Sequence, residues 1–306
     1  MSVLVGGGTG FIGSVLVKQI KTIKLKPIIV TRKPRAVDHV TWNHIAETGL
    51  PADCVGVVNL AGANIGDPLR RFAKEQYVRW TSEYKKEIYN SRISTTKLLA
   101  EVLQKCVNRP VTFITTSAVG IYPPDESRIY TESNHVSSYD DFFCSLCKDW
   151  EAAGNLGDSS IHRRVIIRNG IVLGRHGGII KQIYLPFCLG LGGPLASGQQ
   201  PFPWIHLDDI VGIYMHALTS DKVSSILNGV APSLITNAEF AKAFGCILRR
   251  PTLFRVPEFA LNLIFGTERA EMLIKGQKVH PERTLASGYV FKYPDIKDAM
   301  RQIVHG

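Results

Sequence analysis

A short apolar run at Ser2 to Val5 opens directly into Gly6-Gly7-Gly8-Thr9-Gly10-Phe11-Ile12-Gly13, and this junction constrains the fold more than any other feature. It reads as a buried strand, a glycine turn and the start of a helix. Gly7, Gly10 and Gly13 fall three apart, and Gly8, Gly10 and Gly13 satisfy the dinucleotide-binding spacing. One glycine makes the tight turn, a second admits a pyrophosphate to the backbone N–H groups, and a third lets helix and strand pack closely. Anions are favoured at such a helix N-terminus. The context supports this reading over a glycine turn that binds nothing. Phe11, Ile12, Val15, Leu16 and Ile20 recur at helical spacing, and a second apolar run follows at Ile28 to Val30.

After that second strand the chain reads Thr31-Arg32-Lys33-Pro34, with no acid before Asp38. An Asp or Glu here would bind the ribose 2′-hydroxyl of NAD. A guanidinium instead grips a phosphate in a fork, and a lysine adds a point charge. Arg32 and Lys33 therefore predict NADP(H) rather than NAD(H), the alternative being a solvated basic turn.

With 306 residues, 45% hydrophobic and 20% charged, the chain suits one large α/β domain and a smaller companion. Its +10 net charge is dispersed without an aromatic-interleaved stripe, so an anionic small molecule is expected and no nucleic acid. The six cysteines form no framework, and most read as reduced core residues. Cys144-x-x-Cys147 lies in a helical run with no second pair, so no metal is expected. No targeting or membrane-spanning segment is visible. The expectation is an intracellular, by default cytoplasmic, protein with no membrane partner.

Strand and helix signals alternate through the first two-thirds. Val55 to Leu60 reads as a strand whose turn, Asn59-Leu60-Ala61-Gly62, passes close to the cofactor. Residues 68–106 read as mostly helical, Val111 to Thr116 as a strand ending near Ser117, and Pro123 to Ser138 as a mobile polar loop. Asp141 to Ala153 reads as a helix, Val165 to Ile167 as a strand, and Asp208-Asp209 as the cap of a helix. Residues 1–222 are expected to form a Rossmann-like, doubly wound parallel domain with a substrate-side insertion at 173–203. Residues 223–306 are expected to form a smaller C-terminal α/β domain. Helices within 68–106 and 141–153 offer a homodimer face by analogy with the fold.

Several further pieces carry a resemblance along the whole chain: residues 5–13, 59–62, 91–96, 149–153, 168–174, 202–208, 228–232 and 276–279. With these motifs the chain resembles extended-type short-chain dehydrogenase/reductases. Within them it is similar to the atypical epimerase family proteins of the 39U member 1 type. The resemblance implies an NADP-binding Rossmann-like domain and a C-terminal domain of unknown function. It implies cofactor contacts from Gly7, Thr9, Gly10, Phe11, Ile12, Gly13, Thr31, Arg32, Asn59, Leu60, Glu87, Arg92 and Val172. From spacing alone, Arg92 reads equally as a phosphate or ribose ligand or as an exposed helix arginine.

Short-chain dehydrogenases usually donate a proton through Tyr-x-x-x-Lys. Aligned on Trp150-Glu151, the tyrosine falls at Phe143 and the lysine at Cys147, while Ser117 keeps the usual serine position. Tyr293 and Lys297 have the spacing but come too late in the chain to serve the sheet. Losing a positioned acid removes about 10²- to 10⁴-fold in rate. Tyr122, Tyr139, Lys148, His206 and Cys147 are the replacement candidates, each with a packing or solvent-facing alternative, and the donor stays unassigned. The expected function is an NADP(H)-dependent oxidoreductase acting on an unidentified small carbonyl or alcohol. The alternative is a non-catalytic NADP(H)-binding sensor or scaffold. Nucleotide-sugar epimerisation is disfavoured by Arg32 and the missing tyrosine.

Overall fold

The computed structural model describes residues 1–65, 80–106, 108–134, 136, 141–157 and 161–306. Arg70, Arg71, Tyr139 and the first part of the helix expected from residue 68 lie outside them.

The first strand, β1 (Ser2–Gly6), is buried at every position, as its apolar run dictates. Helix α1 (Phe11–Thr22) returns along the sheet with Gly13, Leu16, Val17 and Ile20 inward. Strands β2 (Lys26–Val30) and β3 (His39–Val40) follow on one side. After α2 (Trp42–Thr48), the chain crosses to the other side of β1 with β4 (Cys54–Asn59). The long helix α3 (Ser82–Lys105) leads to β5 (Thr112–Ala118), and α4 (Phe142–Ala153) leads to β7 (Arg163–Asn169). Between β5 and α4 lies β6 (Asp125–Tyr130), where the sequence predicts a mobile loop.

Beyond β7 come β8 (Ile171–Gly174), α5 (Gly178–Cys188), β9 (Trp204–His206), α6 (Leu207–Thr219) and β10 (Ser225–Gly229). The remainder holds α7 (Asn237–Leu248), α8 (Glu258–Phe265), α9 (Thr267–Ile274), β11 (Gln277–Val279), α10 (Glu282–Ala286) and α11 (Ile296–His305).

Among the described residues, seven strands form one sheet in the order β10-β7-β5-β4-β1-β2-β3, with every neighbouring pair parallel. Successive strands step one way from β1 and then, starting with β4, the other way. This is the Rossmann-like doubly wound α/β arrangement, with its topological switch between β1 and β4. Residues 225–229 form the edge strand of this sheet beside β7. Two short parallel ribbons, β6 with β11 and β8 with β9, stand apart from it.

One core beneath the sheet joins Val3, Val5, Leu16 and Ile20 to Ile210, Ile213 and Tyr214 of α6. The opposite face joins Leu4, Val57 and Phe113 to Leu99 and Leu103 of α3. A third cluster packs Phe202 and Trp204 on Phe240 and Phe244 of α7 and Ile303 of α11, tying the last helix to the middle of the chain.

The expected Asp208-Asp209 cap of α6 is corrected by the geometry. The His206 side chain is the cap, accepting from the Asp208 amide, while Asp209 is buried. Asp209 accepts from the amides of Lys292 and Tyr293 and from the Tyr289 hydroxyl, pinning the C-terminal segment. Cys246 is exposed rather than in the core. No helix among the described residues is long and apolar enough to cross a membrane.

Candidate functional site

The carboxyl ends of β1 and β4 define a crevice, and two turns meet there. Gly7 has φ +75°, and a Cβ on it would lie 2.7 Å from the Leu60 carbonyl. The glycine turn and the Asn59–Leu60 turn are therefore in backbone contact. A Cβ on Gly13 would lie 2.3 Å from the Gly7 carbonyl oxygen, so the third glycine admits α1 against the turn. Gly10 caps α1 without a side-chain hydrogen bond. The first-turn N–H groups are thus left to an external acceptor. Thr9 and Gly10 are exposed, Ile12 is half-buried, and Phe11 packs on Gly174 and Gly177 beyond β8. Val172 of β8 pairs with Ile205 and contributes to the central core.

Asn59 is buried and holds the second turn. Its Oδ1 accepts from the Ala61 amide, and its Nδ2 donates to Thr96. Thr31 and Arg32 follow β2, with the Thr31 amide bonded to Val40 and Arg32 exposed. Asp38, the first acid after them, faces Lys21 at 3.6 Å.

Arg92 is 7% exposed, so the exposed-arginine reading is overturned. Its Nη1 donates to Ile88 O and its Nη2 to Ala63 O, both at 3.0 Å. The guanidinium lies against Gly62 and over Trp150, 5.2 Å from the ring. Its Nε has no hydrogen-bond partner, and no carboxylate pairs with it among the described residues. Burial pulls its pKa down to about 10. A buried cation without a counter-ion favours an incoming anion. Glu87 is exposed on α3, roughly 140° round the helix from Arg92.

Ser117 is the last residue but one of β5, with its hydroxyl buried and without a hydrogen-bond partner among the described residues. Helix α4 runs past it. Phe143 faces Gly120, and Cys144 donates to Ile121 O. Cys147 is buried, and burial pushes its thiol up to about 12. The positions read for tyrosine and lysine therefore do lie beside the Ser117 strand end, as an apolar ring and a neutral thiol. Trp80 covers Phe143 at 4.9 Å and Phe142 at 5.9 Å. Arg92 is within electrostatic reach of Cys147, so a positive charge approaches the lysine position from α3 rather than α4.

Two of the replacement candidates, Tyr122 and His206, are engaged by other residues. The Tyr122 hydroxyl is held by Arg168 and Asn228, and burial raises its pKa. His206 bonds Asp208 and Gln302 and packs at a tilt against the Tyr293 ring, 4.1 Å between centres, with burial lowering its pKa. Tyr293 thus reaches the β8–β9 ribbon rather than Ser117. Lys148 is half-buried, and Tyr139 lies outside the described residues. The sequence reading missed Trp80, Trp150, Thr96 and Gly62 as the supports of Arg92, Asn59 and Phe143. Trp150 sat in a recognised motif, but nothing local pairs it with Arg92.

Residues 3–228 match the sequence model of the NAD dependent epimerase/dehydratase family. The chain belongs to that family. Residues 256–303 match a domain of unknown function, DUF1731. The epimerase family protein SDR39U1 of Bos taurus is 45% identical over 306 residues, covering 99% of this chain and 100% of its own. The chloroplastic SDR39U1 homolog of Arabidopsis thaliana is 34% identical, over 99% of this chain and 87% of its own. The crystal structure of human SDR39U1 (isoform 2) with NADPH is 43% identical, with a TM-score of 0.93 over 100% of both chains. The resemblance carried by the sequence motifs is thereby borne out.

Proposed function

We propose that this chain binds NADP(H) across the β1–β4 crevice and is an oxidoreductase of the short-chain dehydrogenase type, acting on a small carbonyl or alcohol. The observation that carries the reading is Arg92, a buried guanidinium without a carboxylate among the described residues, set against the turn that touches the glycine loop. An anionic dinucleotide supplies the missing counter-ion. The glycine cradle and uncapped α1 fit a pyrophosphate, and Arg32 fits a 2′-phosphate while Asp38 is turned toward Lys21. The human relative solved with NADPH supports the same choice.

Bound there, the nicotinamide supplies hydride chemistry. The chain's own residues do the rest. Ser117 offers its hydroxyl, which has no partner among the described residues, to a substrate oxygen, Trp80 and Phe143 set apolar rings beside it, and Arg92 places a positive charge beside Cys147. Phe143 gives no proton, so proton exchange falls to water or to the substrate. A fluorescence titration with NADPH and NADH tests the binding. NADPH should bind far more tightly, and failure of both to bind refutes the proposal.

Phe143 and Cys147 favour a second reading, a non-catalytic NADP(H)-binding sensor. NADPH bound without consumption across a broad carbonyl panel selects that reading. Turnover by the unaltered chain eliminates it.

A further inference from the structure

Large apolar side chains stand out in water on one part of the C-terminal half. Leu253 is 85% exposed, Phe259 74% and Leu263 70%, with Leu185, Leu189, Leu191 and Phe254 also exposed. They belong to neighbouring stretches of chain. The Arg250 guanidinium donates to Cys188 O, Gly193 lies against the Phe254 backbone, and Leu195 bridges to Val256. Residues 188–195 and 250–256 therefore run side by side, and α8 continues directly from the second. Helix α8 is apolar around most of its circumference but buries only Leu261 fully, leaving Phe259 and Leu263, four residues apart, on a water-facing stripe. Gathered apolar exposure of this kind marks an interaction surface.

The charge around it identifies the occupant. Residues 178–195 and 240–257 contain Lys181, Lys242, Arg249, Arg250 and Arg255 and no Asp or Glu, and α8 adds a single acid, Glu258, against these five cations. Lys181, Arg249, Arg250 and Arg255 are exposed, and none pairs with a carboxylate among the described residues. Glu268 and Glu271 of the adjacent α9 are already paired with Lys85 and Lys275. Lys181 and Leu185 of α5 and Leu189 at its C-terminal cap repeat every four residues, a cation at one end of an apolar stripe. A two-fold contact between copies would press these unpaired cations against one another. An anionic lipid surface takes both features at once, the apolar side chains entering the headgroup boundary and the cations meeting phosphate.

We infer that this face, built from the end of α5, residues 249–255 and α8, docks peripherally on an anionic membrane surface. The expectation of no membrane partner rested on the lack of a spanning segment. A surface contact needs no span and is independent of cofactor binding.

The test is co-sedimentation of the full chain with phosphatidylcholine vesicles, with and without phosphatidylglycerol, at low and high salt. Binding should appear with phosphatidylglycerol, weaken with salt, and fall at least about tenfold in Phe259→Ser/Leu263→Ser. Replacing Arg249, Arg250 and Arg255 by Gln should weaken it by about two orders of magnitude. Leu253→Ser/Phe254→Ser provides a second apolar pair should the first alter the unfolding midpoint. Three results would overturn the proposal. One is no sedimentation with either vesicle, and another is binding indifferent to all these substitutions. The third is a concentration-dependent doubling of mass, abolished by Phe259→Ser/Leu263→Ser, which assigns the face to a second copy instead.

Discussion

Replacing Arg92 by Met keeps a flexible stem over Trp150 and removes the charge. At neutral pH, Arg92 is charged in both the folded and the unfolded chain. Its pKa falls from 12.5 to about 10 on folding. That depression favours the folded state only above the unfolded value and is lost as pH falls through the folded one. Around neutrality the desolvation penalty is therefore present in full, about 3 kcal/mol. Against it stand two hydrogen bonds from a charged donor to Ile88 O and Ala63 O, of about 1.5 to 3 kcal/mol each. The terms largely cancel, so the ligand-free variant should lose no more than about 2 kcal/mol. Truncating one half of an established buried ion pair costs about 3 to 5 kcal/mol instead. On the proposed binding mode the balance changes with NADPH, because the cation then gains its anion. Affinity should fall about 100-fold. At an NADPH concentration giving about 2.7 kcal/mol of stabilisation to the parent, the variant should retain about 0.4 kcal/mol. Urea unfolding with and without NADPH, beside a direct titration, measures both quantities. A ligand-free loss above about 3 kcal/mol with unchanged NADPH affinity would refute the reasoning, since Arg92 would then be a structural cation facing away from the dinucleotide.

Arg32→Glu should leave unfolding unchanged, because Arg32 is exposed, while reversing the NADPH-over-NADH preference by about 100-fold in paired titrations. Gly13→Ala forces a Cβ to within 2.3 Å of the Gly7 carbonyl; a loss of about 1 to 3 kcal/mol and of NADPH binding should appear in denaturant melts and titration. Glu151→Gln breaks the bidentate pair that Glu151 makes with buried Arg168 at 2.8 and 2.9 Å, and should destabilise by about 3 to 5 kcal/mol; replacing both partners by apolar residues should recover much of this. Phe143→Tyr alone should raise NADPH-dependent carbonyl turnover by about 10² or more. Adding Cys147→Lys should erode the gain by setting a second cation beside Arg92, and rates of the two variants on one carbonyl panel distinguish these outcomes.

The elements legible in the sequence are those whose burial is written locally. Strands β1, β4 and β5 are nearly continuous apolar or β-branched runs because helices cover both faces of the sheet. Strand β6 was not legible because Asp125, Glu126, Ser127 and Arg128 carry no strand signature. Its order comes from β11, paired across about 150 residues of chain, and from Asp125 accepting from the Ser127 and Arg128 amides. Its tether is equally remote. Buried Glu132 accepts from the Asn228 and Arg283 amides and from Thr284, joining the supposed loop to β10 and α10. The His206 cap was obscured for the opposite reason: acids in a first turn look like a cap until their side chains are followed elsewhere.

The two halves of the site differ in how far the sequence determines them. The dinucleotide half is backbone geometry, so glycines at fixed spacing announce it. The chemical half depends on which side chain brings a given charge or proton to one point, and fold and ancestry can preserve that point while residues change. Here the tyrosine position is a ring under Trp80, and the lysine position is a thiol too buried to ionise at neutral pH. Arg92 was visible as an arginine in a helix, but its burial follows from Gly62 and Trp150, which lie 30 and 58 positions away in the chain. On the proposed function, a cation drawn from α3 in place of α4 keeps positive charge near the lysine position while the tyrosine position offers no proton. A site altered that way should hold its dinucleotide well and favour substrates whose products need no proton at the instant of hydride transfer. The response to Phe143→Tyr decides this: a rise in turnover means geometry and charge were already in place. No change, with NADPH still bound, means that the site has been turned over to binding alone.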